Sequence, residues 1–407
     1  MKFTQGLWKG LMFGSILVLS LARGSYAVQI LEPINSSVLN RADVIGFGGL
    51  VPDEQNDLNY NPAYINSING KRIFGGLNSA HERFLFGGGS TSDSRSLSFA
   101  PSFEYLHDFS NSHLAIRFTG NHYGNTFESS FSTISTLSRL VDFRTIYGWL
   151  NMGLSLAGNI NRQDSSSQSF FSGNTSSISE DRQVSGAVGF IFGADHEERL
   201  GVMLQGSYGQ VQYFSSSTMD VSHYTITSRI TPEMPLTKKT SIRGLFSISY
   251  KEVIDRDYPT LNYQLGAGWM IQPQEGTLWS LGLLNRGIYS KTSSAKTFND
   301  NVLFRIGLEK KLLSDRLILR GSVDTFQYDF NDSSSTSSSS RFWSIKGPIV
   351  SYRLGAGIQL SKSLLFDVSF DQLNSNYGES SSQFSGFSLT ESSSIFYRIG
   401  FLTTYKF

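Results

Sequence analysis

The side chains of this sequence that could carry acid–base or nucleophilic chemistry are its histidines and its many serines. The six histidines are His81, His107, His113, His122, His196 and His223. A serine paired with a histidine can attack an ester or a peptide bond. These histidines accompany no nucleophile-elbow glycine pattern, no metal-ligand spacing and no phosphate-binding loop. We therefore predict no catalytic residues, no metal site and no cofactor, and we expect that the protein is not an enzyme.

Charged side chains recur on one face of alternating segments in the C-terminal third. They are Arg305, Glu309, Arg320, Asp324, Arg353, Asp367, Asp371 and Arg398. Opposite charges on adjacent strands can form charge-assisted hydrogen bonds. We expect Arg353 and Arg398 each to pair with Asp367 or Asp371. Two roles are open for this set, a ladder that stiffens a wall or a constriction that selects solutes.

Bulk composition restricts the class of protein. The chain has 407 residues, a formal net charge of +1 and no cysteine. Only 16% of its residues are charged, against about 25% in soluble domains, while 13% are aromatic. A chain without a basic surplus is a poor partner for nucleic acid, and the lack of cysteine excludes disulfides and thiol catalysis.

Strict alternation of apolar and polar residues predicts strands with one apolar face. In "LNYQLGAGWMI" (261–271) and "VSYRLGAGIQL" (350–360), every second residue is apolar. Short turns such as "QPQEG" and "LLSD" interchange with long polar segments such as "SSSQSFFSGNTSSISED" (165–181), which we predict to be a loop. This asymmetry is typical of outer-membrane barrels. The prediction is an all-β fold, a transmembrane antiparallel β-barrel of about 14–16 strands formed by residues 70–407.

The first 69 residues lack the strand pattern and divide into two parts. Lys2 and Lys9 precede an apolar run from Leu11 to Ala22, and small residues precede Val28. This pattern predicts a secretory signal peptide at 1–27, because the apolar run is shorter than the roughly 20 residues of a membrane span. Residues 28–69 have no place in the wall, and we predict that they form a short plug inside the lumen.

The chain ends on an amphipathic strand, "YRIGFLTTYKF" (397–407). In a closed barrel the last strand pairs with the first, so this end is part of the wall. Tyr405 and Phe407 would lie in an aromatic girdle. The ending resembles the assembly signal of bacterial outer-membrane proteins, which implies the outer-membrane assembly machinery and outer-membrane lipid as partners.

The N-terminal segment carries a further resemblance. Three glycines (Gly46, Gly48, Gly49) precede an acidic and Asn-rich stretch (Asp53, Glu54, Asn56, Asp57) and the element Asn61–Pro62–Ala63. In these features the chain resembles the long-chain fatty acid transporter family of outer-membrane channels for hydrophobic compounds.

This resemblance implies localisation in the bacterial outer membrane and passive uptake of a small hydrophobic or amphipathic solute. Asn61, Pro62 and Ala63 would then be the hatch motif. Leu245 and Leu303 are candidates for an apolar lumen pocket by their parity along the strand. A general aqueous porin, and a structural or secretion-associated barrel without transport activity, remain alternatives.

Overall fold

The computed structural model describes residues 41–47, 49–87, 92–128, 132–169, 173–193, 198–214, 219–254, 256–291, 295–334, 349–377 and 390–407. The predicted signal peptide, residues 1–27, lies outside the described residues. The predicted plug segment, residues 28–69, is described from residue 41 onward, apart from residue 48.

Sixteen antiparallel strands form a closed barrel, in which each strand pairs with its neighbours in the chain and β16 pairs with β1. Their bounds are β1 Arg72–Gly87, β2 Ser92–Phe109, β3 Ser112–Glu128, β4 Ser132–Trp149, β5 Met152–Ser169, β6 Gly173–Phe192, β7 Arg199–Phe214, β8 Met219–Thr237, β9 Thr240–Val253, β10 Arg256–Gln274, β11 Thr277–Lys291, β12 Ala295–Leu312, β13 Leu317–Ser334, β14 Ile349–Gln359, β15 Leu364–Tyr377 and β16 Thr390–Lys406. The predicted all-β fold class and strand number are confirmed.

Alternation along each strand separates the two faces of the wall. On β5, Leu154, Leu156 and Ile160 point outward and are exposed, whereas Gly153 and Ala157 point inward and are buried. Exposed apolar side chains cover the outer surface of most strands. Water would not favour such a surface, but the hydrocarbon core of a membrane would.

The two ends of the barrel differ. The end that carries Arg72 and Lys406, here called the near end, also carries short turns such as residues 110–111, 150–151 and 238–239. The opposite end is called the far end. At the near end the Phe407 N–H donates to the Lys71 carbonyl oxygen at 3.1 Å, so hydrogen bonding between the first and last strands continues to the final residue.

The prediction of a loop at residues 165–181 is wrong. The structure extends β5 to Ser169 and begins β6 at Gly173, with Ser165 opposite Ser177 and Ser167 opposite Thr175. Where a strand extends beyond the apolar band, both of its faces can meet water, so the alternation that identifies strands disappears while the backbone ladder continues.

The residues before β1 form three short helices: α1 (Arg41–Ile45), α2 (Glu54–Tyr60) and a 3₁₀ helix (Pro62–Ser67). Their apolar side chains provide much of the buried core, because they pack against inward-facing wall residues. No helix in the described ranges is long and apolar enough to cross a membrane.

Candidate functional site: the lumen and the N-terminal segment

The Asn61–Pro62–Ala63 motif is fixed to the wall through Asn61, whose side chain is almost completely buried. The Asn61 Nδ2 group donates to the carbonyl oxygens of Phe190 (3.0 Å) and Val202 (3.2 Å), on β6 and β7. The Oδ1 atom accepts from the Ala63 N–H at 2.9 Å and so caps the 3₁₀ helix. A buried amide with both ends satisfied holds the segment at one position.

Glycines form the surface on which this motif rests. Gly148, Gly153, Gly189 and Gly201 all face inward on β4–β7. A Cβ at Gly153 would collide with the backbone of Pro62 and Ala63, and a Cβ at Gly189 would collide with the Asn61 side chain. We call these four residues the Asn61 socket. Each lies within three residues of the near end of its strand, a signal that sequence reasoning missed.

A buried ion pair joins α2 to β9. The Arg243 Nη1 group donates to Asp57 Oδ1 at 2.8 Å, and the guanidinium lies 5.0 Å from the centroid of the Tyr64 ring. The Tyr64 hydroxyl in turn lies 2.9 Å from the Thr231 hydroxyl. Burial raises the pKa of Asp57 to about 6, and the Arg243 guanidinium opposes this rise.

The residues around α1 rest on the opposite wall. The Ile45 carbonyl accepts from the Ser280 hydroxyl, and a Cβ at Gly307 would collide with the same carbonyl. Phe47 and Leu50 pack with Leu245, Leu284 and Leu303. The two leucines predicted to line an apolar pocket are therefore covered by the N-terminal segment in this state.

The eight charged residues predicted from the sequence, together with Arg41, form two neighbouring groups of ion pairs on the inner wall. Arg353 Nε lies 3.2 Å from Asp371 Oδ1, and Arg398 Nη2 lies 3.0 Å from Asp371 Oδ2. Asp367 pairs with Arg320, which also donates to Glu309 at 2.8 Å, and Arg305 pairs with Asp324. We call this set the ion-pair network: Arg41, Arg305, Glu309, Arg320, Asp324, Arg353, Asp367, Asp371 and Arg398.

Arg41 joins the network from α1 and was missed from the sequence. Its Nε and Nη2 groups donate to the two carboxylate oxygens of Glu309 at 2.7 and 3.1 Å. Arg305 donates to the Gly46 carbonyl, and its guanidinium lies 4.3 Å from the centroid of the Phe47 ring. The network therefore contacts the N-terminal segment as well as joining neighbouring strands of the wall.

A second charged cluster approaches the segment from β3, β4 and β8. The Arg117 and Arg144 side chains both donate to Asn59 Oδ1. Arg229 donates to the carbonyl oxygens of Asn59 (3.0 Å) and Tyr60 (3.2 Å). We call Arg117, Arg144 and Arg229 the arginine cluster. Arg117 also pairs with Glu104, but no ion pair within 4 Å is seen for Arg144 or Arg229 among the described residues.

Toward the far end, uncharged polar side chains line part of the lumen. Ser138 donates to Asn161 (2.8 Å), Asn159 to Gln183 (3.2 Å) and Gln183 to Ser207 (2.7 Å). We call these five residues on β4–β7 the polar ladder. Its donors and acceptors satisfy one another across strands and leave a wettable surface.

The remaining predicted residues lie elsewhere. Tyr405 and Phe407 are exposed on the outer surface, with their rings edge to face at 4.8 Å. His107 Nδ1 lies 2.7 Å from the Tyr105 hydroxyl, His113 lies 3.3 Å from Asp108, and His223 is buried. His196 lies outside the described residues. Within the described ranges, no group of three or more His, Asp or Glu side chains could hold a metal ion.

Comparison with known proteins gives similarity of structure but not of sequence. No family model and no curated protein matches the chain. In fold it is similar to channels for hydrophobic compounds. The Pseudomonas putida toluene transporter TodX is 10% identical, with a TM-score of 0.48 and coverage of 89% of this chain and 99% of TodX. A Pseudomonas aeruginosa FadL homologue is 12% identical, with a TM-score of 0.46 and coverage of 94% and 100%.

A barrel of different description is also similar. CdiB from Acinetobacter baumannii is 8% identical, with a TM-score of 0.43, and the match covers 80% of this chain and 60% of CdiB. Because all these identities are near a tenth, the lumen has to be interpreted from the contacts of this chain itself.

Proposed function

We propose that the chain is an outer-membrane channel for the passive uptake of small amphipathic molecules, and that residues 41–69, the hatch segment, close its lumen in the described state. The observation that carries the proposal is the placement of the hatch segment between opposite walls. It contacts β3–β9 through the Asn61 socket, Asp57 and Asn59, and β10–β14 through Arg41, Ile45 and Phe47.

The chemistry of the two walls supports an amphipathic solute. Movement of the hatch segment would uncover Leu245, Leu284 and Leu303 on one wall. The polar ladder lies on strands of the other wall. A solute with an apolar body and a polar head could contact both, and burial of its apolar surface would provide the driving force.

The outer surface supports placement in a bacterial outer membrane. Exposed apolar side chains on most strands would face outer-membrane lipid, and the short turns of the near end would face the periplasm. The terminal Tyr405 and Phe407 are accessible to assembly machinery that recognises such an ending. The proposal assigns no chemical reaction to the chain.

A disulfide between the hatch segment and the wall tests the proposal. An ideal Cβ at Gly355 lies 3.3 Å from Val44 Cγ1, so V44C/G355C is within disulfide reach, and the chain has no native cysteine. In proteoliposomes, we expect the oxidised variant to admit no fluorescent medium-chain carboxylic acid and the reduced variant to admit it. The single variants V44C and G355C are controls. Transport by the oxidised variant at the wild-type rate would contradict closure by the hatch segment.

The polar ladder favours a second candidate, a general aqueous channel. Hydroxyl and amide side chains along a lumen suit hydrated solutes. This candidate predicts ohmic conductance of the intact protein in planar bilayers and equal permeation of small sugars by the oxidised and reduced V44C/G355C variant. Uptake confined to amphipathic probes, with no steady conductance, would exclude it.

A further inference from the structure

The outer wall changes abruptly from apolar to basic at one level. Starting at the near end, the outward positions of β4 are Trp149, Tyr147, Thr145, Phe143 and Val141, and the next is Arg139. On β5 the outward positions are Met152, Leu154, Leu156, Gly158 and Ile160, and the next is Arg162. Both strands therefore show five outward positions with no charge and then an arginine.

The two flanking strands repeat this pattern. On β6, five uncharged outward positions from Phe192 to Val184 precede Arg182, and on β3 His122 follows Gly120. His122, Arg139, Arg162 and Arg182 are all exposed. We call these four residues the basic belt. It lies immediately beyond the apolar band, on its far-end side, at the level of the outer head groups in the proposed membrane.

Two residues of the belt oppose each other directly. Arg139 and Arg162 are cross-strand partners, and His122 is the partner of Arg139 on its other side. Like charges at such positions destabilise a sheet. Arg162 donates to Asp164 at 3.1 Å and Arg182 to Glu180 at 2.6 Å, whereas no ion pair of Arg139 is seen among the described residues. An anion between Arg139 and Arg162 would remove the repulsion.

The same pattern recurs on β2, where five uncharged outward positions from Tyr105 to Leu97 precede the exposed Arg95, but it does not extend to β8 and β9. At the corresponding level on β8 and β9, the outward side chains are Tyr224, Tyr250 and Glu252. Both tyrosine hydroxyls donate to the Glu252 carboxylate, that of Tyr250 at 2.9 Å. A nonspecific attraction to anionic lipid would not require the basic residues to be confined to neighbouring strands. Their arrangement is therefore that of a specific binding site.

We propose that the basic belt binds the phosphate groups of a phosphorylated glycolipid in the outer leaflet, with Arg139 and Arg162 holding one phosphate between them. Guanidinium groups form bidentate hydrogen bonds with phosphate oxygens, and the apolar band below would contact the acyl chains. Asp164 and Glu180 reduce the net charge of the belt and leave Arg139 as its principal free cation. The inference rests on the membrane placement given under the proposed function.

The test is a titration of the full-length protein in detergent with fluorescently labelled lipid A, which carries two phosphates. R139Q/R162Q removes the central pair, and R316Q, which removes one exposed arginine from a near-end turn, is the control for a loss of positive charge elsewhere. Heat-dependent gel migration verifies that each variant forms a closed barrel. We expect the double variant to bind lipid A about tenfold more weakly, which corresponds to about 1.4 kcal/mol, and R316Q to bind normally. Dephosphorylated lipid A should bind the wild type as weakly as lipid A binds the double variant.

The outcomes separate the site from the proposed function. Equal binding by the wild type and the double variant, or an equal loss in R316Q, would overturn the site. Phosphatidylglycerol or inorganic phosphate bound as tightly as lipid A would also overturn it. If the wild-type barrel fails to insert into liposomes, the proposed function fails. If it inserts and takes up the probe, but R139Q/R162Q binds lipid A as tightly as the wild type does, only the inference about the basic belt fails.

Discussion

The ion-pair network and the arginine cluster contact the same hatch segment in different ways. Most pairs of the network join one wall residue to another, such as Arg305 with Asp324 and Arg398 with Asp371. From the hatch segment, Arg41, the Gly46 carbonyl and the Phe47 ring contact the network. In the arginine cluster, by contrast, Asn59 provides the Arg144 contact, and Asn59 and Tyr60 provide those of Arg229.

This difference indicates different consequences when the hatch segment moves. The network would keep most of its partners, so the wall around it would stay intact. The arginine cluster would lose its acceptors from Asn59 and Tyr60 and present guanidinium groups to the lumen, where an anionic head group of an entering solute could replace them. We therefore expect the network to act as a structural element of the wall and the arginine cluster to be coupled to opening of the proposed channel.

The largest effect should come from breaking the network. R305L leaves Asp324 buried, with Arg353 3.6 Å away as a remaining partner. Removal of one member of a buried pair typically costs about 3–5 kcal/mol, and we expect the free energy of unfolding in urea, measured in lipid vesicles, to fall by about that amount. The double variant R305L/D324L should lose less, because no unpaired charge remains. A loss below about 1 kcal/mol in R305L would contradict a structural role.

The next effect should come from filling the Asn61 socket. G189L places a side chain where Asn61 lies and should displace the hatch segment without opening the wall. We expect probe uptake to rise to the level of a barrel without a docked hatch segment, and conductance to appear in planar bilayers. G206L is the control on β7, because Gly206 faces outward and a Cβ there meets no atom within 4 Å. If G189L and G206L show the same uptake and conductance, the Asn61 socket does not contribute to closure of the lumen.

A smaller effect should come from the arginine cluster. N59A removes the Oδ1 acceptor shared by Arg117 and Arg144. Hydrogen bonds to charged groups contribute about 1.5–3 kcal/mol, so hydrogen exchange of the α2 amides should become at least about tenfold faster. N69A, at an exposed position of the same segment, should leave exchange unchanged. Faster exchange in N69A than in N59A would refute the coupling of this cluster to hatch docking.

The smallest effect should come from pH. The pKa of Asp57 is about 6 when docked, against 3.8 ordinarily, so the docked state binds a proton more readily. This stabilisation is fully present below about pH 3.8 and is lost as the pH rises through about 6. Arg243, Asp53 and Glu233 are the charged groups that act on Asp57. We expect the open fraction to fall by up to about tenfold from pH 7.5 to pH 5, and D57N to abolish this dependence. An open fraction that rises on acidification would contradict the predicted direction of this pH dependence.

The wall could be predicted from the sequence because one face of each strand is outward and largely apolar and the other faces the lumen. That contrast produces the alternation in 261–271 and 350–360, and it places Arg353 and Asp371 on one face. Strand pairing then brings their charges together, since the two residues are direct partners in the register. Long-range order follows here from a local pattern.

The hatch segment could not be placed in the same way. It has no periodicity, so nothing in the sequence indicates that Arg41 meets Glu309 or that Asn59 meets three arginines. The glycines of the Asn61 socket could have been found as inward positions near strand ends. Their partner, however, depends on a fold that the strand pattern does not encode.

The pairing of Arg72 with Lys406 has a consequence for assembly kinetics. All other strand pairs join consecutive strands, so hairpins can form as soon as their two strands exist, at low cost in loop-closure entropy. Pairing of β1 with β16, in contrast, must wait until β16 is available and the barrel can close. Because the hatch segment is joined directly to β1, the pairing of β1 with β16 also fixes the position from which the segment enters the lumen.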